Sequence, residues 1–357
     1  MERALQLASL GAGRTSPNPL VGAVVLDAEG QLVGEGFHAA AGQPHAEVGA
    51  LKQAGERAHG GTLVVSLEPC CHQGRTPPCT EAVIAAGVAT VVIAMEDPNP
   101  LVAGGGVARL KTAGLAVIVG VMEAEALELN RAFVHRIRQG RPYGILKYAM
   151  SLDGRTALPN GDSQWISGPM ARAWVHRLRA SCDAVIIGGG TLRADDPLLT
   201  SRGQRQPEPL RVVLSRSLTL PSEARLWDQT VAPTLVAHGP IEDGDGGGAT
   251  GSANPWASHG VETLAMTAAE PLALLEALAQ RGCNRVLWEC GPELAAAAIR
   301  QECVQEIAAV IAPKLLGGEA ARTPLASLGL ERVEAASRWQ AEAPIGLHGD
   351  LLWRLRR

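Results

Sequence analysis

Pro44-His45-Ala46-Glu47, followed by Leu67-Glu68-Pro69-Cys70-Cys71-His72-Gln73-Gly74-Arg75-Thr76-Pro77-Pro78-Cys79, is the part of this 357-residue sequence that decides how the rest is read. It offers one imidazole and two thiols, each of those thiols directly after a proline. His45, Cys70 and Cys79 are the set expected of a three-ligand zinc site, which keeps a fourth position for water, whereas closed structural sites use four protein ligands. Zinc lowers the pKa of that water toward neutrality. Glu47 is then the candidate to carry its proton. Residues i and i+2 lie roughly 200° apart around a helix, so His45 and Glu47 share a site only if His45 stands at a helix mouth. Residues 46–54 read as that helix, stopped by Gly55.

A His-x-Glu followed by Pro-Cys is the pattern described for zinc deaminases of nucleobases. Here Cys70 and Cys79 stand nine positions apart, where Cys-x-x-Cys is usual, so a loop must bulge between them. Cys71 and His72 are rival ligands within that loop. The ordinary alternative is a surface histidine with cysteines as core filler. It has to explain three ligand types, a carboxylate at the right offset and two Pro-Cys steps together.

Composition limits the possibilities. A chain of this length suggests two domains. Hydrophobic residues make up 46% of it and charged residues 19%, enough for substantial cores. Residues 1–140 hold 10 Lys+Arg against 13 Asp+Glu, and the remainder 22 against 23, for net charges of −3 and −1. Neither part has the basic excess of a protein that tracks a nucleic-acid backbone. No signal segment opens the sequence, and apolar runs such as 88–95 are too short to cross a bilayer. Seven cysteines, an odd number, fit a reducing cytoplasm.

From the amino terminus, residues 2–10 read as a helix, and Ser16-Pro17-Asn18-Pro19 as a rigid segment that is either a turn or a substrate contact. Residues 21–26 and 31–37 alternate like a hairpin. After the helix at 46–54, the segments 62–67, 80–86, 90–95, 107–113 and 116–120 alternate strand and helix, which implies a mainly parallel sheet covered by helices. Residues 123–139 read as one polar helix, broken by Gly140-Arg141-Pro142. That break sets the expected domains at 1–141 and 142–357. The second begins with a strand at 143–151 that delivers Lys147. Strands are expected at 184–187, 210–214, 234–237 and 285–289, and helices at 168–179, 271–280 and 293–300. Residues 243–252 are Gly-rich without apolar period and read as a surface loop. Gly188-Gly189-Gly190-Thr191 and Cys290-Gly291-Pro292 each follow a strand, the usual place for a phosphate at a helix N-terminus, although plain capping explains such glycines equally well.

With these residues in view, the chain resembles the bifunctional deaminase–reductase family of riboflavin biosynthesis. The resemblance rests on Thr15-Ser16-Pro17-Asn18-Pro19-Leu20-Val21-Gly22, His45-Ala46-Glu47, the Cys70–Cys79 spacing and Asp97-Pro98-Asn99-Pro100 in the first half. Leu146-Lys147, Ser151-Leu152-Asp153-Gly154-Arg155, Ser163-Gln164-Trp165-Ile166, Asp195-Asp196-Pro197 and Ala312-Pro313-Lys314-Leu315-Leu316-Gly317 carry it in the second. It implies an α/β protein with a cytidine-deaminase-like N-terminal domain and a dihydrofolate-reductase-like C-terminal domain. It further implies deamination of 2,5-diamino-6-ribosylamino-4(3H)-pyrimidinone 5′-phosphate, then reduction of the ribosyl chain to ribityl with NADPH.

By position, the family's zinc ligands fall on His45, Cys70 and Cys79, and its proton shuttle on Glu47. Asn18 and His72 match deaminase substrate contacts. The NADP contacts fall on Ala149, Trp165, Thr191, Asp195, Ser215 and the turn Gly291, Pro292, Glu293, Leu294, Ala295, Ala296 and Ala297, where Glu293 adds a negative charge near a cofactor phosphate. Reductase substrate contacts fall on Ser163, Arg179, Leu199, Arg202 and Glu289. The implied partner is a small phosphorylated ribosylaminopyrimidine, with neither nucleic acid nor membrane, and self-association into a homo-oligomer is left open. Two rival readings are a zinc deaminase acting on nucleic acid, which needs a basic face, and a non-enzymatic module with structural zinc, which needs a fourth protein ligand.

Overall fold

The computed structural model describes residues 1–72, 77–100, 102–240 and 255–357. Gln73, Gly74, Arg75, Thr76 and the Gly-rich stretch 243–252 lie outside the described residues. Backbone proximity divides the chain into two units, Met1–Gly140 and Arg141–Arg357. Among the described residues no helix is long and apolar enough to cross a membrane.

The first unit runs α1 (Glu2–Ser9), β1 (Gly22–Leu26), β2 (Leu32–Phe37), α2 (Ala46–Ala54), β3 (Thr62–Val65), α3 (Cys79–Ala85), β4 (Thr90–Ile93), α4 (Gly105–Thr112), β5 (Ala116–Val119), α5 (Glu123–Leu129) and α6 (Arg131–Gln139). Its sheet has the order β2-β1-β3-β4-β5. The expected hairpin forms, but β1 is antiparallel to β3 as well as to β2, and only β3/β4 and β4/β5 are parallel. This sheet is therefore mixed, where the alternation of segments implied a mainly parallel one.

Close packing of α2 on β2 sets up the site. Ala46, Ala50 and Ala54 recur every four residues on one helix face and are buried. Gly34 and Gly36 face them from the strand. A Cβ at Gly34 would lie 2.1 Å from the Ala50 carbonyl oxygen, and one at Gly36 would lie 2.3 Å from that of Ala46. Only glycine lets the helix come this near, and the approach fixes where the helix begins.

The single helix expected over 123–139 is instead two, α5 and α6, separated at Asn130. Asn130 is buried, its Oδ1 accepts from the Leu20 amide at 2.8 Å, and its Nδ2 donates to the Leu20 carbonyl at 2.9 Å. Each bond contributes about 1 kcal/mol net, and a buried amide without partners would cost more than either gains. That local demand outweighs one helical continuation, so tertiary pairing overrides the pattern.

The second unit runs β6 (Tyr143–Ser151), α7 (Pro169–Ala180), β7 (Ala184–Gly188), α8 (Gly189–Asp195), β8 (Leu210–Ser215), β9 (Thr234–His238), β10 (Glu262–Ala265), α9 (Pro271–Gln280), β11 (Arg285–Trp288), α10 (Pro292–Arg300), β12 (Glu306–Ala312), β13 (Gln340–Ala341), β14 (Ile345–Leu347) and β15 (Asp350–Arg356). The order is β10-β9-β8-β7-β11-β6-β12-β15-β13, with β14 on β15. Strands from β10 to β12 are all parallel, and β15 turns the edge antiparallel. The core beneath is made of fully buried Leu146, Ile186, Val212, Leu235, Val286 and Trp288 among others. Strands this apolar are what a parallel sheet covered on both faces requires.

Candidate functional sites

Three local features bring the metal donors together. His45 is the N-cap of α2, with extended backbone (φ −71°, ψ 160°), so it stands just outside the regular turns that begin at Ala46 and carry Glu47. Cys79 is the first residue of α3, after Pro78 at the cap. Cys70 lies in the segment after β3. Ligand atoms of His45, Cys70 and Cys79 all lie within 4.8 Å of one another, the cluster expected from the sequence. His45 Nδ1 is 3.1 Å from Cys79 Sγ and 3.7 Å from Cys70 Sγ, and the Cys79 amide donates to Cys70 Sγ at 3.3 Å. Neither Cys71 nor His72 belongs to this cluster, although both are described. A Cβ at Gly105 would lie 2.9 Å from Cys71 Sγ, so that thiol packs against the start of α4. His72 is exposed.

The donors act on one another's protonation. Hydrogen bonding from the Cys79 thiol, helped by His45 and the Cys79 amide, holds the Cys70 thiol down to about 4 against the opposing effect of burial. The Cys79 thiol is pushed up, first by its bond to Cys70, then by burial and by the Glu47 charge. His45 is raised by its Cys70 bond. Glu47 is only 3% exposed, and burial pushes its carboxyl upward. Its Oε2 has no hydrogen-bond partner. A buried carboxylate oxygen without a donor is costly, and one beside two thiols and an imidazole fits a site built to receive a cation and its water. Imidazole and thiolate donors in this number suit zinc.

Two nearby residues were not singled out from sequence. His38 is buried; its Nδ1 meets the Pro44 carbonyl at 3.2 Å and its Nε2 meets Asn18 Nδ2 at 3.0 Å. A carbonyl only accepts, so Nδ1 carries the proton and Nε2 accepts from the amide of Asn18. Glu68 takes the amides of Asp97, Gly104 and Val107 at 3.0–3.1 Å and so holds the segment leading into α4. A lone histidine after a strand carries no motif, and Glu68 gave no sign of its partners.

In the second unit three of the expected cofactor residues, Ala149, Ser215 and Gly291, stand with Gly188 at one end of the sheet. Ala149 on β6, Gly188 at the end of β7, Ser215 at the end of β8 and Gly291 just after β11 mark the carboxyl ends of four adjacent parallel strands. That end is where open α/β sheets bind ligands. Thr191, in the first turn of α8, faces Gly291, where a Cβ would come 3.7 Å from its Oγ1. A Cβ at Gly188 would meet Leu294 Cδ2 at 3.4 Å. Gly291 caps α10 and Pro292 opens it. Glu293 is exposed in that first turn, whereas Ala295 and Ala296 are buried and the Ala295 amide is already bonded to the Gly291 carbonyl. Ala297 stands deeper in the helix, so within 291–297 the open backbone lies at the beginning. Asp195 ends α8 and is exposed.

Trp165 is 62% exposed; the Arg172 guanidinium lies 4.6 Å from its ring centre, and Lys314 Nζ donates to its carbonyl at 2.6 Å. Ser163 is partly exposed in the same loop. Arg179 donates to both oxygens of Glu289, at 2.6 and 2.9 Å, and to the Thr200 carbonyl at 3.0 Å. Burial pushes the Glu289 carboxyl up, but the Arg179 and Lys147 charges outweigh it and hold it below the usual range. Lys147 is lowered by burial, with Glu289 opposing. Leu199 is buried and Arg202 exposed, both with left-handed backbone.

Metal donors with a carboxylate beside them, joined in one chain to a parallel sheet with a ligand-binding end, define a two-part α/β enzyme whose first part is a zinc deaminase. Residues 1–95 match the cytidine and deoxycytidylate deaminase zinc-binding region, and residues 142–343 match the RibD C-terminal domain. The riboflavin biosynthesis protein RibD of Synechocystis is 53% identical over 336 residues, 94% of this chain and 89% of that protein. The solved RibD of Acinetobacter baumannii superposes with a TM-score of 0.89 at 41% identity, covering 99% of this chain and 97% of its own. The diaminohydroxyphosphoribosylaminopyrimidine deaminase/5-amino-6-(5-phosphoribosylamino)uracil reductase of Thermotoga maritima superposes with a TM-score of 0.88 at 34% identity, covering 100% and 97%. The chain belongs to the RibD family of riboflavin biosynthesis.

Proposed function

We propose that this chain catalyses two reactions: hydrolytic deamination of a diaminohydroxyphosphoribosylaminopyrimidine in residues 1–141, and NADPH-dependent reduction of 5-amino-6-(5-phosphoribosylamino)uracil in residues 142–357. One observation carries the first step, the cluster of His45, Cys70 and Cys79 beside the partnerless Glu47 Oε2. These three side chains would hold zinc. Bound there, zinc supplies Lewis acidity and a water of lowered pKa. Glu47 would take up a proton from the attacking water and hand it to the departing amine, so that water and the aminopyrimidine give the carbonyl product and ammonia. Buried beside the three donors, its carboxylate is placed for both halves of the transfer. Asn18, oriented by His38, and His72 contact the substrate.

For the second step, NADPH supplies a hydride, and the chain's task is to position it. The first turn of α10 after Gly291 receives a cofactor phosphate with its open amides, and Ala149, Trp165, Thr191, Asp195 and Ser215 line the remainder. Ser163, Leu199 and Arg202 receive the substrate, with Arg202 on its phosphate. Glu289 and Arg179 act as a bonded pair in this reading, Arg179 fixing the carboxylate and the Thr200 turn. The near-neutral halves support a small molecule over nucleic acid, and an odd count of seven cysteines fits a reducing cytoplasm.

Purified protein incubated with the diaminopyrimidine ribotide, with and without NADPH, tests both steps by mass spectrometry. Ammonia and the uracil ribotide are expected without NADPH, and the ribityl product only with it. Ammonia release from oligonucleotides but not from the ribotide would refute the reading.

A further inference from the structure

The turn that presents Arg202 is held by an acid that no motif marks. Leu199, Thr200 and Ser201 are buried, and the chain then emerges at Arg202 with φ 56°, followed by Gly203 with φ 78°. A non-glycine residue in the left-handed region persists only when its surroundings over-determine it. Here they do so from both sides. Arg179 Nη1 donates to the Thr200 carbonyl at 3.0 Å, its other nitrogens being tied to Glu289. Glu208, 8% exposed, accepts the Ser201 amide at 2.6 Å on Oε2 and the Gly203 amide at 3.3 Å on Oε1. Those two amides flank Arg202. Ser201 Oγ accepts the Arg205 amide at 3.2 Å and closes the turn. Among the described residues no hydrogen bond or ion pair engages the Arg202 guanidinium itself.

We propose that Glu208 is a positioning residue for recognition of the substrate phosphate in the reductase half: by gripping the amides on either side, its carboxylate fixes the backbone from which Arg202 reaches the anion. The inference rests on the reading that Arg202 receives that phosphate. Glu208 does not touch the ligand. Its contribution is preorganisation, since a guanidinium already aimed loses less freedom on binding. Asp shortens the reach. Gln keeps one acceptor oxygen but turns an NH2 group toward the second amide, so only half the grip survives.

The test uses the full-length protein and steady-state reduction of the uracil ribotide, with Glu208→Ala, Glu208→Gln, Arg202→Ala and the Glu208→Ala/Arg202→Ala double variant. Arg202→Ala should raise KM by about tenfold or more, as expected for loss of a charge-assisted contact. Glu208→Ala should raise KM in the same direction with little change in kcat, and Glu208→Gln should fall between it and the parent. The double variant should be no worse than Arg202→Ala, because Glu208 acts through Arg202. With the dephosphorylated substrate the variants should match the parent. NADPH fluorescence titration and thermal melting report folding, and Glu208→Gln serves if the alanine variant does not fold.

An unchanged KM in both Glu208 variants beside a raised one in Arg202→Ala would overturn the inference alone. So would additive losses in the double variant, or loss of NADPH binding on changing Glu208. An Arg202→Ala variant with unchanged KM would remove the phosphate reading and the inference with it.

Discussion

The two units build their sites from opposite materials. In the first, three side chains of uncommon type converge within 4.8 Å, beside one carboxylate that has an unpartnered oxygen. In the second, the ends of four neighbouring strands offer mostly backbone and small side chains: Ala149, Gly188, Ser215 and Gly291. The contrast follows from the chemistry. Holding a cation and moving a proton demand particular functional groups, so the first site concentrates its fragility in a few residues. A cofactor that carries its own reactivity asks for shape, amides and a helix N-terminus, so the second site spreads its requirements over the fold.

The largest break is expected at the metal. Cys79→Ser should release zinc and reduce ammonia release to background, because one missing thiolate opens the coordination shell; Cys71→Ser, whose thiol packs on Gly105, should keep both. Zinc analysis of the two purified variants checks this, and the reverse pattern would reassign the ligands. Glu47→Gln comes next. It keeps size and zinc but cannot exchange a proton, so deamination should fall by roughly 10²–10⁴, measured as ammonia release at full metal content.

Effects in the second unit should appear first as stability. Arg179→Ala leaves the largely buried Glu289 carboxylate without its guanidinium, and losing one partner of a buried pair costs about 3 kcal/mol. Urea unfolding monitored in this unit gives the value. Nearly unchanged stability would mean that Lys147 compensates. The smallest effect concerns Asp153. Its bonds from Ser151, Gly317 and Leu316 hold its carboxyl down to about 2. A depressed value means stabilisation that is complete above the ordinary carboxylate range near pH ~4 and is lost as pH falls through about 2. The thermal midpoint of Asp153→Asn should therefore lie slightly below the parent's at neutral pH and meet it toward pH 2. A constant gap would show that Asp153 acts without titrating.

The same contrast explains what the sequence made legible. His45, Glu47, Cys70 and Cys79 could be read directly because their chemistry is rare and their spacing is local. The helix mouth at His45 followed from helix geometry and is present as expected. Packing decisions were less visible. Asn130 divides α5 from α6 through a pair of bonds to Leu20, a partner remote in sequence. β12, with sequence Glu-Ile-Ala-Ala-Val-Ile-Ala, is almost wholly buried, yet its alanines give no strand period, so its place beside β6 and β15 shows only in the assembled sheet. His38 and Glu208 were hidden for the same reason. Glu208 works through bonds to backbone amides, and His38 joins the Pro44 carbonyl to the Asn18 side chain; a sequence does not show which groups such a side chain will meet.

The central claim is that one chain carries two sites with separate requirements. It is tested most directly by stripping zinc from the full-length protein with a chelator and assaying both reactions, each with its own substrate, before and after zinc is restored. The account predicts that ammonia release from the diaminopyrimidine ribotide falls to background and returns with zinc, while NADPH oxidation by the uracil ribotide stays unchanged throughout. Ammonia release that persists without zinc, or NADPH oxidation that falls and recovers together with it, would contradict it.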